Sequence, residues 1–221
     1  MTDEVRLDPP VETELIYDGS IMRLRVSHYG RPSGMVVRRE VIDQLDAVMI
    51  VPVEGDHVLM VRQPREAVET YLLELPAGKL DSADEVPLEA AKRELAEEVG
   101  RAAGSWEYLG GFYAAPAVLT EVMHCYVATD LTIIDVPPSP DEDEEIEVVA
   151  VPLAEIPALL NEIRDAKTMI GLMHLARTLG LDKPPSGVSR RDPVTGLLMV
   201  PTGVPIALEE VKAFLEDDGL E

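Results

Sequence analysis

The stretch GKLDSADEVPLEAAKRELAEEVG, from Gly78 to Gly100, decides how the rest of the chain is interpreted. From Pro87 onward it predicts a helix, because proline fits a first helical turn and apolar residues recur at three- and four-residue steps. The apolar residues at these steps are Leu88, Ala91, Leu95 and Val99. Gly100 is suited to end the helix, since glycine is favoured just beyond a helix C-terminus.

Three glutamates, Glu94, Glu97 and Glu98, fall on one sector of this helix, beside the apolar stripe. Like charges four residues apart destabilise an isolated helix by a few tenths of a kcal/mol, so something must offset their repulsion. Two explanations are open at this point. Solvent and the neighbouring cations Lys92 and Arg93 could offset it, or the carboxylates could hold a divalent cation such as Mg²⁺, which prefers oxygen ligands.

The spacing of these charges resembles the signature of the Nudix hydrolases. That signature runs Gly, five residues, Glu, seven residues, Arg-Glu, an apolar residue, any residue, Glu-Glu, any residue, Gly and an apolar residue. The match is carried by Glu85 and, after seven residues, by the run from Arg93 to Gly100. The chain departs from it twice, because six residues separate Gly78 from Glu85 and Arg101 occupies the last apolar position. Neither departure changes a carboxylate.

The resemblance implies a role for each residue of the match. The implied ligands of a divalent cation, Mg²⁺ or Mn²⁺, are Glu94, Glu97, Glu98 and the backbone carbonyl of Ala77. Glu85 and Arg93 correspond to a structural ion pair that orients the helix. The cation is held against a diphosphate in this family.

The flanking sequence is similar to the ADP-ribose pyrophosphatase group over roughly residues 13–180. The similar segments are Arg62 to Arg65, Glu74 to Asp81, Gly111 to Tyr113 and Asp165 to Thr168. Pro116 matches a proline that this group has some fifteen residues past the signature. The next four residues, AVLT, replace the group's usual Gly-Phe-Ser-Asp, and enzymes for other nucleoside diphosphate sugars vary at this loop.

Further site residues follow from the same resemblance. Glu121 stands where relatives bind or activate the attacking water, and the implied proton acceptor is Glu121 or one of Glu97 and Glu98. A solvated residue at a strand start is the alternative for Glu121. Arg62 and Arg65 are candidate substrate-binding residues, since an arginine can pair with a phosphate or stack on a base. An ordinary surface arginine is the alternative for Arg65.

The implied activity is metal-dependent hydrolysis of a nucleoside diphosphate linked to a sugar. With ADP-ribose as substrate the products are AMP and ribose 5-phosphate. Three alternatives are a pyrophosphatase for another nucleoside diphosphate sugar such as GDP-mannose, a Nudix-like module that senses a nucleotide without cleaving it, and a simple acidic cation-binding protein. The last leaves Gly78, Arg93 and Gly100 unexplained.

Composition limits the partners. The 221 residues are 46% hydrophobic, which indicates a globular chain with a substantial core. A net charge of −23 argues against binding to nucleic acid or to an anionic membrane surface, and no apolar run reaches the roughly 18 residues of a membrane span. The start lacks the pattern of a secretory signal, and the single cysteine, Cys125, cannot form an internal disulfide, so we expect a cytoplasmic protein.

The pattern of elements predicts the α+β class, and the resemblance implies an α/β/α sandwich with a mixed sheet behind N-terminal antiparallel strands. The predicted strands are Glu14–His28 with a turn inside it, Met35–Ile42, Gln44–Glu54, His57–Gln63, Tyr71–Leu75, Trp106–Tyr113 with a bulge at Gly110-Gly111, Glu121–Thr129 and Ile146–Val151, and the later helices are Leu153–Arg164 and Lys167–Leu179. We expect an arm at 1–12, the catalytic domain at 13–180, and a C-terminal extension with a short helix at 181–221. The resemblance also implies a homodimer in which strands of residues 13–42 cross to the partner.

Overall fold

The computed structural model describes residues 7–138 and 145–181, together with two short backbone segments at 190–191 and 198–199. Two expectations lie outside the described residues in whole or in part. These are the start of the N-terminal arm and the helix of the C-terminal extension. Among the helices that are described, none is long and apolar enough to cross a membrane.

Three antiparallel strands come first and form a sheet of their own. They are β1 (Glu12–Asp18), β2 (Arg23–Gly30) and β3 (Val36–Asp43). Only the middle strand, β2, is paired on both sides within this sheet, so β1 and β3 are its edges. Every residue of β1 is exposed to solvent.

The second sheet has seven strands and carries the site. They are β4 (Ala47–Glu54), β5 (His57–Arg65), β6 (Thr70–Glu74), β7 (Ala77–Lys79), β8 (Arg101–Tyr113), β9 (Val122–Ile133) and β10 (Glu147–Pro152). Their order is β10-β5-β4-β9-β8, with β6 paired to β5 and β7 paired to β4. The central strand β4 is parallel to β9 and antiparallel to β5 and β7, so the predicted mixed sheet is confirmed.

Helices cover both faces of this sheet. They are α1 (Pro87–Val99), the single-turn α2 (Ile156–Leu159) and α3 (Ala166–Thr178). Side chains of β4 alternate between the faces, as a strand requires. Met49 and Val51 lie in the core that includes residues of α3, whereas Val48 and Ile50 lie in the core that includes residues of α1. The predicted α/β/α layering is therefore confirmed.

A two-strand ladder pairs Arg190–Arg191 (β11) with Leu198–Met199 (β12).

The predicted helix at 153–164 is confirmed in its first part and is wrong from residue 160 onward. A 3₁₀ turn at Leu153–Glu155 leads into α2, which ends at Leu159. Beyond that turn the Asn161 side-chain amide donates to the carbonyls of Pro157 and Ala158, and such local bonds compete with continuation of a helix. Apolar spacing suggested a helix because Ile163 is buried in the core, although it is not helical.

Strand β8 starts at Arg101, five residues before the predicted start, because it pairs along almost the whole length of β9. The predicted bulge in β8 is confirmed, since the register with β9 shifts between Tyr108 and Gly110. Gly110 has φ of 120°, a conformation that glycine adopts without steric cost.

Candidate active site

Helix α1 is where the sequence predicts it. Pro87 occupies its first turn, and Gly100 ends it in the left-handed conformation, with φ of 67°. Leu95 is fully buried on the side facing the sheet, together with Ala91. Burial of this stripe fixes the rotation of the helix about its axis and turns the adjoining glutamates towards strand β7.

Two of these glutamates lie directly against the backbone of β7. A methyl group added at Gly78 would overlap the carboxylate of Glu94, so the contact requires a residue without a side chain. The backbone N–H of Ala77 donates to Oε2 of Glu98 at 3.0 Å. The short strand and the helix therefore form one unit, in which the backbone at residues 77–78 faces the carboxylates.

Arg93 holds the carboxylates together. Its Nη1 donates to Oε1 of Glu94 at 2.7 Å and to Oε2 of Glu97 at 3.2 Å. Its Nη2 donates to the carbonyl of Lys79 at 3.0 Å, and its Nε lies 3.5 Å from Oε1 of Glu85. Burial alone would lower the pKa of Arg93, but the charge of Glu94 and the hydrogen bonds from Arg93 to its carboxylates outweigh burial and raise it.

Both departures from the family signature are absorbed locally. The extra residue before Glu85 lies in a turn where the N–H of Glu85 donates to the carbonyl of Ser82 at 3.2 Å. Oε2 of Glu85 in turn accepts from the N–H of Asp81 at 2.6 Å. Arg101, in the place of an apolar residue, donates from Nε to Oε1 of Glu54 at 2.7 Å. The carboxylate face of α1 is unaffected.

The carboxylates of α1 are suited in chemistry to a hard divalent cation, which takes carboxylate and carbonyl oxygens. Within residues 7–138 and 145–181, no three or more His, Cys, Asp or Glu side chains are placed to hold a metal ion. The carboxylates of Glu94 and Glu97 accept from Arg93, and that of Glu98 accepts from the Ala77 amide. The oxygen donors of this set and the close approach of Glu94 to the backbone at Gly78 are suited to a hard divalent cation.

A second charged cluster borders the first. Glu74 is only 1% exposed. Its carboxylate accepts two hydrogen bonds from Arg65, one from Nε and one from Nη2, at 2.8 Å each. Lys167 at the start of α3 bridges Glu74 and Asp165. Burial would raise the pKa of Glu74, but the hydrogen bonds and charges of Arg65 and Lys167 prevail and lower it.

The two arginines predicted to bind substrate have different surroundings. Arg65 lies close enough to Glu98 for the two charges to interact, and its side chain is 40% exposed while it binds Glu74. Arg62 is also partly exposed, but its Nη1 donates to Oε2 of Glu147 on the outer strand β10 at 3.1 Å. The structure thus brings Arg65 within electrostatic reach of Glu98 of α1, whereas Arg62 pairs with β10.

Glu121 directly precedes β9 and is 8% exposed, so it is not the solvated side chain that the alternative interpretation described. Burial raises the pKa of its carboxyl group, and the charge of Asp46 adds to this. Lys79 and Lys167 act in the opposite direction but do not cancel the rise. A carboxylate with a raised pKa in a partly desolvated place is suited to accept a proton.

The sheet topology places Glu121 at the same end of the sheet as strand β7, which the helix glutamates contact. Ala47 of β4 pairs with Met123 of β9 on one side and with Lys79 of β7 on the other. Neighbouring strands are about 4.8 Å apart, so the start of β9 and strand β7 lie about 10 Å apart across β4. Glu121 and the backbone at Gly78 therefore border the same end of the sheet.

Sequence reasoning missed three residues of this region, Asp46, Glu74 and Lys79. Glu74 offered a signal, because it is a lone charge in the apolar run YLLEL, and a buried carboxylate needs a cationic partner. Asp46 and Lys79 offered none. Asp46 bonds to Val122, 76 residues further along the chain, and no local pattern indicates that contact.

Comparisons with known proteins agree with this geometry. The NUDIX domain family matches residues 43–171. An ADP-ribose pyrophosphatase from Bacillus subtilis is 33% identical over 168 residues, which cover 75% of this chain and 90% of the relative. A GDP-mannose pyrophosphatase from Pectobacterium atrosepticum is 36% identical over 181 residues, which cover 74% of this chain and 91% of the relative.

The fold also matches a solved structure, the crystal structure of an ADP compounds hydrolase. The two share a TM-score of 0.69 and 28% sequence identity, and the match covers 79% of this chain and 96% of that one. The predicted fold class is confirmed by this match.

The burial of Glu121 leads to a prediction about stability. Below its ordinary pKa of 4.5 the carboxyl group is protonated in both the folded and the unfolded state, so its charge has no effect. Above the raised pKa of the folded state the buried charge is destabilising. Glu121→Gln should therefore increase the melting temperature at about pH 8 and lose this advantage at about pH 4. Thermal unfolding of wild type and variant across this range measures the difference.

The exposed Glu107 of β8 provides the matched control, since Glu107→Gln removes a charge of the same sign from a solvated position. An advantage of Glu121→Gln that stays constant from pH 4 to pH 8 would contradict the predicted cost of burying this charge.

Proposed function

The chain belongs to the Nudix family and is a Nudix pyrophosphatase of the ADP-ribose pyrophosphatase-like group, and from this we propose that it hydrolyses ADP-ribose to AMP and ribose 5-phosphate. The observation that carries the proposal is the contact of Glu94 with Gly78, which sets a carboxylate of α1 against the backbone of β7. The printed name of the Bacillus subtilis relative supports the choice of substrate.

The side chains that would hold the cation, Mg²⁺ or Mn²⁺, are Glu94, Glu97 and Glu98, with the carbonyl of Ala77. When bound, such a cation neutralises phosphate oxygens and makes the attacking water more acidic. Arg93 and Glu85 keep α1 and the preceding loop in register, because the guanidinium group bonds to residues of both.

Glu121 is the proton acceptor that we propose for the attacking water, with Glu97 and Glu98 as the alternatives. Its raised pKa makes it a stronger base than an exposed glutamate. Lys79 and Lys167 lie within electrostatic reach of Glu121. Their charges would stabilise a carboxylate there and would attract a diphosphate.

We propose that Arg65, rather than Arg62, is the main arginine that binds the substrate. In a chain of net charge −23, an anionic diphosphate needs local cations at the site. Arg65 combines partial exposure with a fixed orientation, because its bidentate bond to Glu74 leaves the guanidinium group little freedom. Arg62 would contribute only after releasing Glu147.

GDP-mannose is the second candidate substrate, and two observations favour it. The Pectobacterium atrosepticum relative carries the name GDP-mannose pyrophosphatase, and the loop from Ala117 to Thr120 departs from the usual sequence of the ADP-ribose group. The products would then be GMP and mannose 1-phosphate.

A substrate panel tests the proposal. The purified protein is incubated with ADP-ribose, GDP-mannose, UDP-glucose, NADH and diadenosine polyphosphates, with Mg²⁺ or with a chelator. We expect AMP and ribose 5-phosphate from ADP-ribose, only in the presence of the cation. Faster formation of GMP from GDP-mannose supports the second candidate, and binding of ADP-ribose without any product contradicts hydrolysis and favours a sensing module.

Glu98→Gln tests the assignment of the carboxylates. Glutamine keeps an oxygen that accepts from the Ala77 amide but removes the charge, so the fold should persist. We expect kcat to fall by roughly 10²–10³-fold, the loss typical when one group that stabilises transition-state charge is removed. Steady-state kinetics at saturating Mg²⁺, with thermal unfolding as the test of folding, provides the measurement.

The matched control is Glu89→Gln on the same helix, because Glu89 is exposed and pairs with Lys92. We expect it to retain wild-type turnover. A kcat of Glu98→Gln equal to that of the wild type would contradict the assignment of Glu98 as a metal ligand.

We also propose that the protein is a homodimer formed through the N-terminal sheet. Exposed apolar side chains on and beside this sheet support the proposal: Leu15, Ile16, Tyr17, Ile21, Met35 and Val36. Unpaired sheet edges with apolar side chains are typical of surfaces that associate. The molar mass in solution should be twice 24.2 kDa, and Ile16→Glu should halve it. A monomeric wild-type protein at micromolar concentration would contradict this.

A further inference from the structure

Asp46, the residue before β4, bonds to both sides of the site. Its backbone carbonyl accepts from the N–H of Leu80 at 2.9 Å, just after strand β7. Its side-chain Oδ1 accepts from the N–H of Val122 at 3.0 Å, directly after Glu121. One residue thus joins the strand that faces the helix glutamates to the residue beside the proposed proton acceptor.

The side chain of Asp46 is held in this position by two further residues. Its Oδ2 lies 3.4 Å from Nε2 of His124, and Nδ1 of His124 lies 3.1 Å from the hydroxyl of Tyr108. A neutral imidazole with its proton on Nε2 satisfies all of these groups, because Nε2 donates to Asp46 and Nδ1 accepts from Tyr108. The Tyr108 ring in turn packs against Tyr126, with centroids 5.1 Å apart.

The backbone on the other side of Glu121 is bonded to the segment that leads to Asp46. The N–H of Ile42 donates to the carbonyl of Val118 at 2.7 Å, and the N–H of Thr120 donates to the carbonyl of Ile42 at 3.1 Å. Glu121 is therefore flanked by two bonded amides, those of Thr120 and Val122. Of these two, the bond to Val122 is the one made by a side chain, so a substitution can remove it.

We propose that Asp46 is a positioning residue for hydrolysis, which fixes the backbone beside Glu121 by holding the N–H of Val122. The inference rests on the proposed function, in which Glu121 accepts a proton from water. A general base works only within hydrogen-bond reach of that proton, and a displacement of about 1 Å can cost about 10²-fold in rate. A loosened Val122 would allow a displacement of that size.

Two variants separate the hydrogen bond from the charge. Asp46→Ala removes both, whereas Asp46→Asn keeps an oxygen that accepts from Val122 and removes the charge beside Glu121. The matched control is Asp56→Ala. Asp56 lies after β4, is 91% exposed, and also pairs with a histidine, with 2.7 Å between its Oδ1 and Nδ1 of His57.

The first measurement is the separation of kcat from KM on the substrate that the wild type hydrolyses. Asp46→Ala should lower kcat about 10–100-fold and leave KM within about twofold, since the substrate contacts are intact. Asp46→Asn should recover most of kcat, and Asp56→Ala should match wild type. Two outcomes would overturn the proposal. One is a fall in kcat for Asp46→Asn as large as that for Asp46→Ala, and the other is a raised KM with unchanged kcat in Asp46→Ala.

The second measurement does not depend on activity. Amide hydrogen exchange at Val122, followed by NMR, should be faster in Asp46→Ala than in wild type and unchanged in Asp46→Asn. A wild-type protein that hydrolyses nothing in the panel refutes the proposed function while this measurement still tests the bond. Normal wild-type turnover with unchanged exchange at Val122 in Asp46→Ala refutes the positioning role alone.

Discussion

The guanidinium group of Arg93 is the constraint on which the rest of the site depends. Four glutamates lie around the start and one face of α1. Their mutual repulsion would destabilise this arrangement without a cation among them. Arg93 contacts three of them, Glu85, Glu94 and Glu97, and also the carbonyl of Lys79. A planar fork with five donors can serve several partners in fixed directions, whereas a lysine offers three donors on one rotating nitrogen. The helix, the loop before it and strand β7 are thereby fixed relative to each other.

Burial explains how an acidic protein can build a site for an anion. The net charge of −23 describes the whole chain, whereas the region beside α1 collects Arg65, Lys79 and Lys167. Each of these cations is near a carboxylate that is itself shielded from water, Glu74 or Glu121. Interactions between partly buried charges are screened less by salt than those on the surface. Local charge, and not net charge, thus governs what this region attracts.

The sequence alone predicts those elements that depend on residues close to one another along the chain. Helix α1, its end at Gly100 and the buried strand β4 follow from periodicity and from a continuous apolar run. Contacts between distant segments could not be derived in this way. The bond from Asp46 to Val122 and the bridge from Lys167 to Glu74 span 76 and 93 residues, and no local pattern indicates which residue the partner is. The helix expected at 153–164 ends early, at Leu159, for a related reason. An irregular turn that packs on a core shows the same apolar spacing as a helix.

The attachment of the Glu121 loop to the end of β3 has a consequence for assembly. Strand β3 is an edge of the N-terminal sheet, and its residue Ile42 exchanges hydrogen bonds with Val118 and Thr120 of that loop. Whatever binds the sheet therefore acts on a segment that ends beside the proposed base. Thermodynamic linkage makes such coupling reciprocal. If a partner on the sheet favours one position of the loop, a substrate that favours the same position strengthens association with that partner by an equal factor.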